Sequence, residues 1–227
     1  MKDNNLIIRD LGVIDYTTSF KMMKDAIQQR YPLEQHELWV VTHPSVYSQG
    51  QAGKAEHLLN LSGIKCVQSD RGGQVTYHGP GQVVCYFLFD LTRLGLTVKT
   101  LVDGTTDSVI NTCNSYDINA FDDPKNPGVY TDQGKIASLG FRIRKHMSYH
   151  GVAINFDMDL RPFSGINPCG LKQSISQITH LTSAFSGMNK TQARQQFTQA
   201  FIESVTKTFK FDNVAHSKCW PTFSTAN

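Results

Sequence analysis

Apolar positions Tyr16, Phe20, Met23, Ile27 and Tyr31 recur every three or four residues, and Pro32 stops the series. That period predicts an amphipathic helix over 17–31. Leu101, Val102, Thr105, Val109 and Cys113 predict a second helix over 97–114, and Ala193, Phe197, Phe201 and Val205 a third over 191–208. Elsewhere the spacing shortens. Glu37 to Thr42 reads as a strand ended by His43-Pro44, and 64–68 as a short strand. Val83 to Phe89 is unbroken apolar sequence, which predicts a buried strand over 83–91. Lys135 to Arg144 and Tyr149 to Phe156 predict an antiparallel hairpin turning through Lys145-His146-Met147-Ser148. Residues 119–131 are rich in Asp, Pro and Asn and read as irregular. A loop carrying Pro162, Gly165, Pro168 and Gly170 follows the hairpin. Strands and helices mix without strict alternation, and no repeat or low-complexity linker divides the chain. The expected fold class is α+β: one domain over 1–227, with a mostly antiparallel or mixed sheet and helices packed on it.

A chain of 227 residues can bury a sizeable core. Hydrophobic content of 40% with 18% charged residues describes a soluble globular protein. A net charge of +3 is too small to argue for nucleic acid. Arg142, Arg144 and Lys145 form the tightest basic cluster; alternating with Phe141 and Ile143, they read as a solvated strand face or as a weak landing patch for an acidic partner. The first residues lack the apolar stretch of a signal peptide, and Val83–Phe89 is far too short to span a bilayer, so no membrane association is expected. Five widely spaced cysteines, without Cys-x-x-Cys or His-Glu-x-x-His, argue against a disulfide scaffold or structural zinc. Reduced thiols in a cytoplasmic protein are expected.

Chemistry concentrates in three places. Arg71-Gly72-Gly73-Gln74-Val75-Thr76-Tyr77-His78-Gly79-Pro80-Gly81-Gln82 packs four glycines into twelve residues ahead of the buried strand. Such density suits sharp backbone turns or close approach of another molecule, although a plain turn between strands would look similar. Cys169 stands between Pro168 and Gly170, a setting for an exposed thiol, whereas Cys85 and Cys113 sit in apolar or helical contexts and read as core fillers. An ordinary thiol is only a few per cent thiolate at neutral pH. A nucleophilic Cys169 therefore needs a base or a neighbouring cation: His78, His150, or Lys135 in Gly134-Lys135-Ile136-Ala137-Ser138-Leu139-Gly140.

These segments, together with His150-Gly151-Val152-Ala153-Ile154-Asn155, resemble the lipoyl(octanoyl) transferases, relatives in fold of lipoate–protein and biotin–protein ligases. The likeness runs from about His43 to Thr182. It implies an enzyme whose Cys169 takes an octanoyl (or lipoyl) group from acyl carrier protein as a thioester and passes it to a lysine of a lipoyl domain. The acceptors would be 2-oxoacid dehydrogenases and the glycine cleavage H protein. It implies that Lys135 lowers the Cys169 pKa. It places the acyl group against Arg71, Gly72, Gly73, Gln74, Val75, Thr76, Tyr77 and His78, against Ser138, Leu139 and Gly140, and against Gly151, Val152 and Ala153. No ATP is implied, because exchanging a thioester for an amide runs downhill, and neither metal nor cofactor is expected. His78 would either orient the loop by hydrogen bonding or do proton work; orientation is favoured because Lys135 already fills the base role. Three alternatives stand beside this one: an ATP-dependent lipoate–protein ligase of the same fold, a non-catalytic module binding carrier or lipoyl domains, and a cysteine hydrolase acting on thioesters.

Overall fold

The computed structural model describes residues 4–29, 35–167 and 174–221. Eight strands form one mixed sheet: β1 (Asn5–Val13), β2 (His36–Thr42), β6 (Gln82–Leu88), β7 (Phe121–Asp122), β8 (Val129–Thr131), β9 (Gly134–Arg144), β10 (Met147–Asn155) and β11 (Asn213–Ser217). Their order is β11-β1-β2-β6-β10-β9-β8-β7. The β11–β1 and β1–β2 pairs are parallel, and every later pair is antiparallel. Three more strands, β3 (Val46–Gln49), β4 (Cys66–Gln68) and β5 (Val75–His78), form a small second sheet in the order β4-β3-β5.

Strand β6 explains the unbroken apolar run. Val83, Cys85 and Phe87 enter one core with Leu101, Val109 and Cys113 of helix α3 (Val98–Asn114) and Phe197, Phe201 and Val205 of α4 (Lys190–Thr208). Val84, Tyr86 and Leu88 point the other way, toward Met23, Ala26 and Ile27 of α1 (Tyr16–Gln29). A strand covered on both faces has no polar side to show. A third cluster, of Tyr47, Val75, Tyr77, Met158 and Ile166, lies under the small sheet.

The expected helices form with ends shifted by one or two residues; Tyr31 and Pro32 lie outside the described residues. The expected strand 83–91 stops at Leu88. Asp90 there accepts a hydrogen bond from Arg93 N at 3.0 Å and caps the one-turn helix α2 (Leu91–Leu94), which Gly95 ends in a left-handed conformation. The hairpin turn is tighter than expected. Lys145 and His146 both have positive φ (50° and 62°), as a two-residue turn matching strand twist requires, so β10 begins at Met147. Within 119–131, expected to be irregular, β8 and β7 extend the sheet by two short strands, β7 at its edge. The middle of the glycine segment, Val75–His78, is the strand β5.

Candidate active site

A cavity of about 750 Å³ opens between the α1 face of the large sheet and the small sheet with its glycine loop. The ladder sets its wall in rows. Ala153 lies opposite Ser138 and Val84, and one row further Gly151 lies opposite Gly140 and Tyr86. All six line the cavity. Lys135, on the same strand as Ser138 and Gly140, also lines it. The strand rise places those two residues about 10 and 17 Å along β9 from Lys135. Val75, Leu160 and Phe163 add apolar surface.

Arg71 holds the glycine loop in shape. Its Nη2 donates to Ser48 O at 2.6 Å and Gln74 O at 2.7 Å, its Nη1 to Gly72 O at 2.9 Å, and its Nε to Ser48 Oγ at 3.1 Å. One fork thereby fixes three backbone carbonyls of two neighbouring segments. From outside, Gly72 N donates to Phe141 O at 2.8 Å and Ala52 N to Gly73 O at 3.0 Å. Gly140 is small because the loop rests on it: a Cβ there would stand 2.9 Å from Gly72 O. Burial pulls the Arg71 guanidinium below its usual range.

Behind the loop lies a polar network whose hydrogen atoms can be assigned. Gln82 Nε2 donates to Tyr77 O (3.2 Å) and Asn155 Oδ1 (3.1 Å), so its Oε1 accepts from His78 Nδ1 at 2.9 Å. His78 Nε2 then accepts from the Ser48 hydroxyl at 2.9 Å, and Tyr16 stacks on the ring at 5.4 Å. Burial drives the His78 pKa far down, helped by His43 and the charge of Arg71, so the imidazole is neutral. His43 donates from Nδ1 to Ile14 O at 2.7 Å and accepts from Tyr86 OH at 2.7 Å. Burial works against the Asp70 carboxylate. Hydrogen bonds from His150 Nε2 (2.9 Å) and Tyr149 OH (2.7 Å) outweigh it and hold its pKa low. His150 itself has φ +60°, a strained conformation for a strand residue.

At the other end sits Lys135. Its Nζ donates to Pro127 O at 2.9 Å and lies 5.4 Å from the centre of the Tyr130 ring. Its backbone binds the chain that follows 168–173: Lys135 N donates to Ser174 O at 2.9 Å, and Ser176 N to Lys135 O at 3.0 Å. Gly134 (φ +126°) leaves room for this, since a Cβ there would meet Ser174 O at 2.4 Å. On the near side, Asn167 N donates to His57 O at 2.9 Å. Asn167 and Ile175 both line the cavity. Cys169 lies outside the described residues.

The lipoyl protein ligase A/B catalytic domain family matches residues 15–206. The chain belongs to this family. It is 52% identical over 166 residues to an octanoyltransferase of Marinomonas sp. (strain MWYL1), covering 73% of this chain and 78% of that one. It is 54% identical over 162 residues to an octanoyltransferase of Pseudomonas putida (strain GB-1), covering 71% and 75%. A bi-partite lipoate protein ligase of Thermoplasma acidophilum, solved with its E2 lipoyl domain, shares the fold at TM-score 0.70 and 15% identity over 97% of this chain and 88% of that one. Lipoate-protein ligase A bound with ATP matches equally, at TM-score 0.70 and 15% identity over 97% and 90%. These relatives make the chain an acyltransferase on the lipoate–protein ligase fold.

In this family member the sequence-selected residues divide as follows. Lys135, Arg71, Gly73, Gln74, Val75, Thr76, His78, Ser138, Leu139, Gly140, Gly151, Val152 and Ala153 share the cavity wall. Gly72 and Tyr77 do not line it. Gly72 is spent on the contact with Phe141, and the Tyr77 ring packs on Tyr47 and Phe163, each at 5.5 Å, with its hydroxyl on Ser45 at 2.9 Å. Tyr77 shares a strand face with Val75 and is buried in the cluster under the small sheet. Sequence reasoning missed Tyr16, Ser48, Asp70, Tyr86 and Phe163. Tyr16 and Tyr86 were read only as helix or strand apolar positions, and nothing local marks Ser48 as the partner of a distant arginine. Among the described residues no three His, Cys, Asp or Glu side chains group to hold a metal ion, and no helix is long and apolar enough to cross a membrane.

Proposed function

We propose that this acyltransferase moves an octanoyl (or lipoyl) group from the phosphopantetheine thioester of acyl carrier protein to a lysine of a lipoyl domain. Lipoyl domains of 2-oxoacid dehydrogenases and the glycine cleavage H protein are the acceptors. The Cys169 thiolate attacks the thioester carbonyl, the carrier's thiol leaves with a proton, and an acyl-Cys169 thioester remains. The acceptor amine attacks that thioester, loses a proton, and departs as the amide while the thiol is restored. Splitting one transfer into two thioester steps is ordinary nucleophilic catalysis and needs no nucleotide.

The observation that carries this reading is an apolar trough running along β9 with a lysine at one end. Val75, Val84, Ala153 and Phe163 offer an acyl chain a dry wall. Six methylenes buried there are worth about 5 kcal/mol at roughly 0.8 kcal/mol each. The seven carbon–carbon bonds of an octanoyl group span at most about 10 Å, roughly the distance from Lys135 to the Ser138–Ala153–Val84 row. Cys169 is two residues beyond Asn167 and five before Ser174, and both neighbours flank Lys135 or the cavity. An ammonium beside the sulfur favours the thiolate electrostatically.

Intact-mass measurement after mixing the protein with octanoyl-carrier protein, with no nucleotide present, tests the reading. A gain of one octanoyl group, mapped to Cys169 and discharged by a lipoyl domain, is expected. No adduct, or transfer only when ATP is supplied, would replace it with the ligase mechanism. Release of free octanoate would make the protein a hydrolase.

A further inference from the structure

The segment opposite the start of β9 has a backbone shaped around one side chain. Gly128, between Pro127 and β8, adopts φ +156°. A Cβ at this position would stand 2.4 Å from Lys135 Cε, 2.9 Å from Lys135 Nζ and 2.8 Å from Ala137 O. The carbonyl before it accepts from the ammonium, and the aromatic ring two residues after it lies under the same charge. The Tyr130 hydroxyl closes the segment on itself by donating to Asn126 O at 2.8 Å. Three features within four residues, an acceptor, a missing side chain and a ring face, thus converge on one nitrogen.

We propose that Pro127–Tyr130 is a seat that positions the Lys135 ammonium, with Gly128 and Tyr130 as positioning residues for the reaction. The proposal rests on the reading in which Lys135 governs the Cys169 thiol. The chemistry of the seat fits that task. A carbonyl oxygen and an aromatic face are both neutral, so they fix the ammonium without cancelling its charge. A carboxylate in the same place would hold the lysine equally well but quench its field at the sulfur. Gly128 sets how closely the lysine stem can lie. A methyl group there meets both the lysine stem and the Ala137 carbonyl, so the stem is pushed aside and the ammonium leaves its position.

The test is the pH dependence of Cys169 alkylation by iodoacetamide, mapped to that peptide, in the full-length protein. Wild type, Lys135→Ala, Gly128→Ala, Tyr130→Phe and Tyr130→Leu are compared, with kcat and KM for octanoyl transfer. Gly128→Ala should move the alkylation midpoint in the same direction as Lys135→Ala and lower kcat more than it raises KM. Adding it to Lys135→Ala should shift the midpoint no further. Losing a cation–π contact predicts about a two- to five-fold loss of thiolate fraction at pH 7 for Tyr130→Leu, with Tyr130→Phe close to wild type. The seat is refuted if Lys135→Ala shifts the profile but both Gly128→Ala and Tyr130→Leu leave it unchanged. A Lys135→Ala profile that matches wild type would refute the parent reading instead, and the seat with it. Should Gly128→Ala fail to fold, the Tyr130 pair alone decides.

Discussion

Acidifying the protein from pH 7.5 to 4.5 should weaken it through His36, a buried residue on β2 away from the cavity. Asp90 N donates to His36 Nδ1 at 3.1 Å, so that nitrogen must keep its lone pair. Phe89 and Phe211 close on the ring, with centroids at 5.8 and 5.6 Å. Burial, and next the charge of Arg93, lower the pKa to about 4, against a smaller opposing pull from Asp90. The unfolded chain holds this proton with a pKa near 6.5. Between pH 6.5 and 4 the unfolded state therefore binds more protons than the folded one. The contribution is intact above about 6.5, fades as pH falls toward 4, and changes no further below it. The full effect is about 3 kcal/mol, from roughly 1.36 kcal/mol per unit, a large share of a typical 5–15 kcal/mol stability. Urea unfolding of wild type and His36→Gln from pH 7.5 to 4.5 isolates it, because a glutamine oxygen can still accept from Asp90 N but cannot titrate. The stability difference between the two proteins should move by about 2–3 kcal/mol in favour of the variant on acidification. Curves that stay parallel would show that His36 titrates alike in both states.

Cys169→Ala should abolish transfer while the thermal melt stays within a degree or two of wild type; turnover near wild type would remove Cys169 from the mechanism. Arg71→Met strips the fork from the carbonyls of Ser48, Gly72 and Gln74, of which that of Ser48 is buried and the other two are half-buried, and should cost about 2 kcal/mol or more in urea unfolding, at roughly 1–3 kcal/mol per orphaned buried group. A loss under about 1 kcal/mol would mean that the loop holds its shape without it. Gly81→Ala puts a Cβ 1.9 Å from Asp157 O at φ +88°; a Tm lowered by about 6–12 °C is expected for roughly 3 kcal/mol of strain. Cys85→Ser, at a fully buried thiol in the sheet core whose ionisation burial already opposes, should reduce stability with kcat unchanged in the folded fraction.

The sequence made helices α1, α3 and α4 legible because each presents one apolar stripe to one core, and the period survives in the residues themselves. Strands with two different surroundings were harder. β1 was overlooked although Leu6 and Ile8 alternate, since the period breaks before Leu11 and Arg9 lies between Ile8 and Leu11, buried by a bond to Glu37 at 2.7 Å that only the fold reveals. β11 is mostly exposed and carries no apolar pattern at all. Glycine density hid β5, whose residues pair with β3 while their loop neighbours turn. In the site, motif reading reached the loop, Lys135 and the β9–β10 wall. The Tyr16–His78 stack and the Arg71–Ser48 fork depend on segments that meet only in three dimensions.

The outer parallel pair has a consequence for how the protein reaches its native state. Asn5 to Arg9 find their partners in Asn213 to Ser217, joined also by an Asn213–Asn5 side-chain bond across 208 positions. During synthesis, β1 can join β2 early but must wait for nearly the whole polypeptide before its other side is covered. An intermediate with a bare row of amides and carbonyls there invites pairing with a neighbouring copy. Fragments ending before residue 213 should thus be prone to aggregate in the test tube, even though every cavity residue described above would be present.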